Sequence, residues 1–202
     1  MRITLEISGS SPLLMHNVAL SDPNNQFARA IAELTSKKGK TREDHQEIAR
    51  LEFVGSLYVG TKGPMVPAPN MKKCLVQAAK VRKEGKSIER GLLPTTMEIP
   101  LLYDGPRTPE ELWNYKDGFF RFLAPVSVGR AKVQRMRPRF VSWALLSEWE
   151  LLTDVIDYAK LQRIAKEAGL IEGLGDGRTL GFGRFEAQVR KAETAPLKAV
   201  NG

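Results

Sequence analysis

Ile3, Leu5 and Ile7 alternate with Arg2, Thr4, Glu6 and Ser8, the period of two that marks a half-buried β-strand, and Pro12 follows soon after. The period then changes. Phe27, Ile31 and Leu34 keep helical spacing, as do Ile48, Leu51, Val54 and Tyr58 beyond Thr41, whose hydroxyl can cap this second helix in a capping box with Asp44. The two helices form a hairpin around a loop carrying Lys37, Lys38, Lys40 and Arg42. After a turn region from Pro64 to Pro69, Asn70 is an N-cap candidate for a helix with Met71, Leu75, Ala78 and Val81 on one side and lysines on the other.

Alternation returns at Met97, Ile99, Leu101 and Tyr103, a strand that runs into the glycine- and proline-bearing loop Asp104 to Pro109. Phe120 to Val128, a turn at Gly129 and Ala131 to Arg137 predict a β-hairpin. Val141, Trp143, Leu145, Trp149 and Leu151 then keep strand spacing, enough for one extended strand over Phe140 to Leu152. Asp157 can cap a helix that buries Tyr158, Leu161, Ile164 and Ala168, with Gly169 and Leu170 as a Schellman-like stop, and Phe185, Ala187 and Val189 mark a last strand.

Without the helical hairpin (about 20–60) and the β-hairpin (about 119–139), the order is strand, helix, two strands, helix, strand. That is the ferredoxin-like order of an α+β fold, an antiparallel sheet with both helices on one face. The other face is left open, and proteins of this topology often bind single-stranded nucleic acid there. One domain is expected over residues 1–190, with 191–202 as a disordered tail.

Composition narrows the function classes. A chain of 202 residues with 42% hydrophobic and 27% charged residues is that of a globular protein, which excludes wholesale disorder. No apolar run approaches the roughly 20 residues of a bilayer span, and the N-terminus reads as a strand, not a signal peptide, so no membrane partner and a cytoplasmic location are expected, the host cytoplasm if the protein is viral. The single Cys74 cannot form an internal disulfide, and two histidines argue against a zinc enzyme, so no metal or cofactor is expected. Against 23 acidic residues stand 31 basic ones, a net charge of +8. These charges cluster: Arg130, Lys132, Arg135, Arg137 and Arg139 fall in a stretch without an acid, and Lys72, Lys73, Lys80, Arg82, Lys83, Lys86 and Arg90 face only Glu84 and Glu89. Most charge runs are solvated faces, but three in one chain point to a polyanion.

The most informative segment is Gly173-Leu-Gly175-Asp-Gly177-Arg-Thr-Leu-Gly181-Phe-Gly183-Arg-Phe185, placed between the last helix and the last strand. A dinucleotide fingerprint needs a strand before the glycines and a helix after them, and a P-loop needs a Gly-Lys-Ser/Thr that is missing. Two readings stand. In one, Gly175, Gly177, Gly181 and Gly183 let the main chain approach a phosphodiester, with Arg178 and Arg184 supplying charge. In the other the glycines serve only a tight turn and sheet packing.

This loop in this context resembles the signature loop of the RAMP superfamily, the repeat-associated CRISPR proteins, with the likeness in element order extending over most of the chain. The segments Met1-Arg-Ile-Thr-Leu-Glu-Ile7, Pro12-Leu-Leu-Met-His-Asn17, Gly173-Leu-Gly-Asp176 and Gly183-Arg-Phe-Glu186 also resemble uncharacterised phage and prophage proteins. Members of the superfamily polymerise along RNA as backbone subunits or cleave it as repeat endonucleases. The resemblance implies RNA or single-stranded nucleic-acid binding, in a homo-oligomer or as a subunit of a nucleoprotein complex.

Chemistry has few candidates. Metal-free RNA cleavage needs a base for the 2′-hydroxyl proton, and His16 is the one histidine placed for it, with Tyr58 or Lys62 as partners, while His45 reads as solvated. Glu98, Asp104 and Glu148 lack the clustering of a two-metal nuclease. Trp143 and Trp149 read as core, Trp113 and Tyr115 as loop aromatics free to stack bases, and Met15, Met65 and Met136 as gap fillers. The expectation is a binder without chemistry of its own, in which residues Arg130 to Arg139 and Lys72 to Arg90 hold phosphates. The alternatives are a metal-independent endoribonuclease of the RAMP type using His16 and a protein-binding module that mimics or joins a CRISPR complex.

Overall fold

A computed structural model describes residues 1–129 and 131–192 of the chain. β1 (Arg2–Gly9) and the short β2 (Leu13–Leu14) are followed by the helical hairpin α1 (Gln26–Ser36) and α2 (Arg42–Ser56). β3 (Val59–Gly60) and β4 (Gly63–Pro67) lead to α3 (Ala68–Lys80), α4 (Gly85–Gly91), β5 (Leu92–Pro94), β6 (Glu98–Leu102) and α5 (Pro109–Trp113). The hairpin β7 (Arg121–Val128) and β8 (Ala131–Phe140) precedes β9 (Ala144–Leu151), α6 (Tyr158–Glu167) and β10 (Phe185–Lys191).

The main sheet has the order β10-β1-β9-β6-β4-β3, with β5 also on β9, and β2, β8 and β7 form a second sheet. Its antiparallel run β10-β1-β9-β6 is the strand arrangement expected of the ferredoxin-like order, so the fold is α+β as predicted. Strand alternation decides what each face carries. Ile3 lies opposite Trp149, Leu5 opposite Val189 and Ser147, and Ile7 opposite Ala187 and Leu145, an inward row buried under α3 and α6. Trp149 is fully buried because its indole N–H finds the Ser147 hydroxyl at 2.9 Å. Both helices contribute one apolar side: Met71, Leu75 and Ala78 from α3, Leu161 and Ile164 from α6.

The capping box of Thr41 with Asp44 and the Asp157 cap both form as the sequence predicts. Elsewhere tertiary context overrides local signals. The Pro64 to Pro69 turn region is largely strand, since β4 pairs with β3 and β6, and α3 begins at Ala68 behind Pro67, which puts Asn70 inside the first turn and not at the cap. Val81 is exposed, because the chain leaves the helix there and Lys83 takes a positive φ of 61°. Phe140 to Leu152 is not one strand: residues 141–143 bend, and the chain passes from the second sheet to the main one. Gly169 does not stop α6. A π-helical turn, Ala168–Glu172, continues it to Gly173, whose N–H donates to the Ala168 carbonyl at 2.9 Å. Trp113 lies in α5 against Phe53, and Tyr115 packs on Phe120, so neither is a free stacking surface. The expected tail beyond residue 192 falls outside the described residues.

Candidate nucleic-acid interface

The glycine-rich loop lies between the end of α6 and β10 and folds back on β2. Asp176 N–H donates to Leu14 O and Gly183 N–H to Pro12 O, both at 2.8 Å, while Leu174 N–H reaches Gly183 O at 2.9 Å. Close packing follows. A Cβ on Gly183, where φ is +70°, would stand 1.8 Å from Leu174 O, and one on Gly175 would stand 2.1 Å from Leu14 O. Gly177 is closed off by the Phe182 ring, whereas Gly181 is exposed with nothing within 4 Å of its Cβ position. Gly175, Gly177 and Gly183 thus serve the turn, while Gly175, itself exposed, and Gly181 leave main chain open to an approaching ligand.

The arginines of β8 share one face, as residues two apart on a strand must. That face meets α2 and the glycine loop. Arg135 donates through Nη1 to Glu52 Oε1 at 2.6 Å, and the Met136 amide donates to the other oxygen at 2.8 Å. Arg137, its side chain only 7% exposed, donates through Nε to Asp176 Oδ2 at 3.0 Å and lies 3.5 Å from the Ser56 hydroxyl. Arg139 donates to Phe119 O and lies over Phe122. Arg130 and the Lys132 side chain fall outside the described residues.

The expected phosphate-binding helix is two helices, α3 and α4, with different fates for their cations. Arg82 is engaged by Glu167 at 2.8 Å. Lys73, Lys80 and Lys83 are exposed, Lys72 is half-buried, and none of the four has an acidic partner among the described residues. In the glycine loop Arg178 stands 3.8 Å from Glu172, and Arg184 donates Nη2 to Arg178 O while its buried Nη1 has no partner.

Three depressions adjoin around Asp176. A cavity of about 210 Å³ lies between β2, the first turn of α3 and the glycine loop, and carries His16, Tyr58, Lys73 and Arg178 on its lining. A groove of about 550 Å³ runs between α1 and the β7–β8 hairpin past His16, Arg135 and Arg137. A recess of about 340 Å³ holds Arg178 and Arg184. His16, a solvent-exposed residue, stands at the neck between cavity and groove. Partial burial, and then the Arg137 guanidinium, hold its pKa below the ordinary histidine value, so the neutral form predominates at pH 7. Burial opposes ionisation of Asp176, but hydrogen bonds from Arg137 and the Gly177 amide outweigh it and keep that carboxyl below its ordinary value. Lys62 does not line these depressions and His45 is solvent-exposed. No group of three or more His, Cys, Asp or Glu side chains suited to a metal occurs among the described residues. No helix among them is long and apolar enough to cross a membrane.

With this geometry in hand, the comparisons with known proteins divide. No family model matches the chain and no curated protein matches it. Among solved structures, a chain from the cryo-EM structure of type III-B Cmr-beta bound to cognate target RNA is 14% identical, with a TM-score of 0.42 over 95% of this chain and 61% of that one. The crystal structure of Cmr4 gives 9% identity and a TM-score of 0.41 over 96% of this chain and 100% of that one. This chain spans 61% of the length of the first.

The open face of the main sheet corrects one expectation. Its outward positions carry Glu6, Glu148, Glu150 and Glu186 around the exposed Leu146, with Arg2 paired to Glu150 at 3.0 Å and Arg190 to Glu6 at 3.2 Å. No outward residue of β1, β9 or β10 is aromatic, since Trp143 and Trp149 point inward. A polyanion would meet like charge there. Sequence reasoning also missed Glu52, Ser56 and Asp176. Glu52 and Ser56 are buried one helical turn apart on α2, and the signal for Glu52 was a carboxylate set between the apolar Leu51 and Phe53.

Proposed function

We propose that this chain binds a single-stranded nucleic acid, as a subunit of a nucleoprotein complex that holds several copies along the strand, and that it performs no chemistry itself. One observation carries the reading. Cations from three separate stretches, Lys73 of α3, Arg135 and Arg137 of β8, and Arg178 and Arg184 of the glycine loop, line three adjoining depressions that meet at Asp176. The acids there, Glu52, Asp176 and Glu172, engage Arg135, Arg137 and Arg178, so Lys73 and Arg184 remain without a carboxylate among the described residues. RNA is the strand to test first, because the glycine-rich loop resembles that of RAMP proteins. The phage origin rests on the resemblance of the opening and closing segments.

Affinity for a single strand is expected to fall steeply with salt. Each neutralised phosphate contributes a slope of about −0.7 in log K against log salt, so three contacts give roughly −2. Replacing Lys73 and Arg178 together by alanine should flatten the slope by about 1.4. A flat response in the unmodified protein, or no binding at low salt, rejects the reading and favours a protein-binding module.

A second reading is favoured by one feature, the neutral His16 at the neck beside Asp176. A neutral imidazole there can take a 2′-hydroxyl proton and free the oxygen to attack the adjacent phosphorus, breaking the bond to the 5′-oxygen, which takes a proton from solvent and departs while a 2′,3′-cyclic phosphate remains. The binder reading expects labelled RNA to stay intact in chelator, and His16→Ala to keep the affinity within about threefold, a difference of under 1 kcal/mol. Cleavage leaving cyclic phosphate ends and lost in His16→Ala would replace the binder with the nuclease.

A further inference from the structure

The smallest of the three depressions has the layered chemistry of a nucleotide site. Its volume, about 210 Å³, falls below the roughly 300 Å³ at which pockets for drug-sized ligands begin, which suits one base better than a whole nucleotide. The floor is apolar: Leu13, Met15, Val66 and Leu174 are all buried. It is also uncharged. Cys74 donates its Sγ–H to Gly173 O at 3.2 Å, and burial pushes the thiol up to about 12, so no thiolate forms there at neutral pH.

The rim supplies directional groups. Tyr58 Oη accepts from the Val18 amide at 3.1 Å, which leaves its own proton free to donate. The exposed Asn70 amide, with two donors and an acceptor, makes no hydrogen bond among the described residues. Lys73 follows Asn70 at i+3 and so shares its side of α3. Lys73 from the helix and Arg178 from the glycine loop place cations at the mouth, outside the apolar floor. Apolar surface for a ring, in-plane donors and acceptors for its edge, and charge outside for phosphate are what an unstacked nucleotide requires, in that order.

We propose that this cavity takes one nucleobase extruded from the bound strand, with the flanking phosphates on Lys73 and Arg178, while neighbouring nucleotides lie in the groove beyond His16. The proposal rests on the nucleic-acid reading above and adds to it a base-binding site. It makes a distinction that charge alone does not: the protein must tell a strand with bases from the same backbone without them.

Fluorescence anisotropy with a labelled short oligouridylate and its fully abasic ribose-phosphate counterpart, at one fixed salt concentration, measures that distinction. The unmodified protein is expected to prefer the intact strand by roughly 5-fold or more, the lower end of what a base stacked on an aromatic side chain contributes, because this floor is aliphatic. Asn70→Trp, a change at an exposed position that lays an indole over the mouth, should bring the preference close to one. Lys73→Ala should weaken both strands by the same factor. Equal binding of intact and abasic strands by the unmodified protein, or a preference that Asn70→Trp leaves untouched, overturns the base site while the salt-dependent binding stands. Failure of both strands to bind at low salt instead overturns the nucleic-acid reading itself. Circular dichroism of Asn70→Trp guards against loss of fold, and Asn70→Phe serves in its place if the tryptophan variant is unfolded.

Discussion

Gly183→Ala is expected to destabilise the protein by roughly 3 kcal/mol or more, and Gly181→Ala by only about 1–2 kcal/mol. Both residues hold positive φ, +70° and +91°, so both alanines carry the strain of a left-handed backbone. The difference is space. At Gly183 the new methyl would stand 1.8 Å from Leu174 O, a backbone atom whose residue is tied to Gly183 by its own N–H and so cannot swing aside, whereas at Gly181 nothing lies within 4 Å. Relieving the clash means separating the loop from β2 and giving up the bonds from Gly183 N–H to Pro12 O and from Asp176 N–H to Leu14 O. Three kilocalories is a large part of the roughly 5–15 kcal/mol that holds a typical domain together. Urea denaturation of the two variants beside the parent measures the gap. Equal losses would mean that the loop packs on β2 less tightly than its hydrogen bonds imply.

Removal of Arg137 should cost about 2–3 kcal/mol, somewhat below the 3–5 kcal/mol of a wholly buried ion pair, because Asp176 keeps 30% of its side chain in contact with solvent and can be partly rehydrated. Arg137→Met retains most of the buried stem and removes the charge, so it reports the electrostatic part. The pH dependence has a definite sign. Asp176 titrates below its ordinary value in the folded protein, so its stabilising contribution is present above that ordinary value and is lost as pH falls through the folded one. Parent and Arg137→Met should therefore converge in stability in strong acid. His16 behaves alike in direction, being favoured neutral, so its contribution is complete above about 6.5 and lost as pH falls through its lower folded value. Burial is the larger cause and remains in the variant, while the Arg137 charge disappears. The His16 imidazole should thus titrate at higher pH in Arg137→Met, although still below the ordinary value, as an NMR titration would record. An unchanged midpoint would mean that the guanidinium is not felt at the neck of the groove.

Sequence alone sufficed where the physics is local. The alternation of Ile3, Leu5 and Ile7, the helical spacing of Phe27, Ile31 and Leu34, and the caps at Thr41 and Asp157 each depend on neighbours within a turn or a strand, and each forms as read. The ferredoxin-like strand arrangement followed from the order of those elements. What tertiary structure decided is the use of each charge. Arg135 and Arg137 look identical to free phosphate binders in the sequence, yet they meet Glu52 and Asp176 at separations of 83 and 39 residues, beyond the reach of any local pattern. The same holds for the open sheet face, where Glu148 and Glu186 come together with Glu6 only because β1 pairs with β9 on one side and β10 on the other. Pro64 to Pro67, which carry turn residues, become a strand because β6 supplies a partner for Met65 to Pro67. Spacing records which way a side chain points relative to its neighbours in the chain; whether a carboxylate or open solvent waits there is settled by segments far away in sequence.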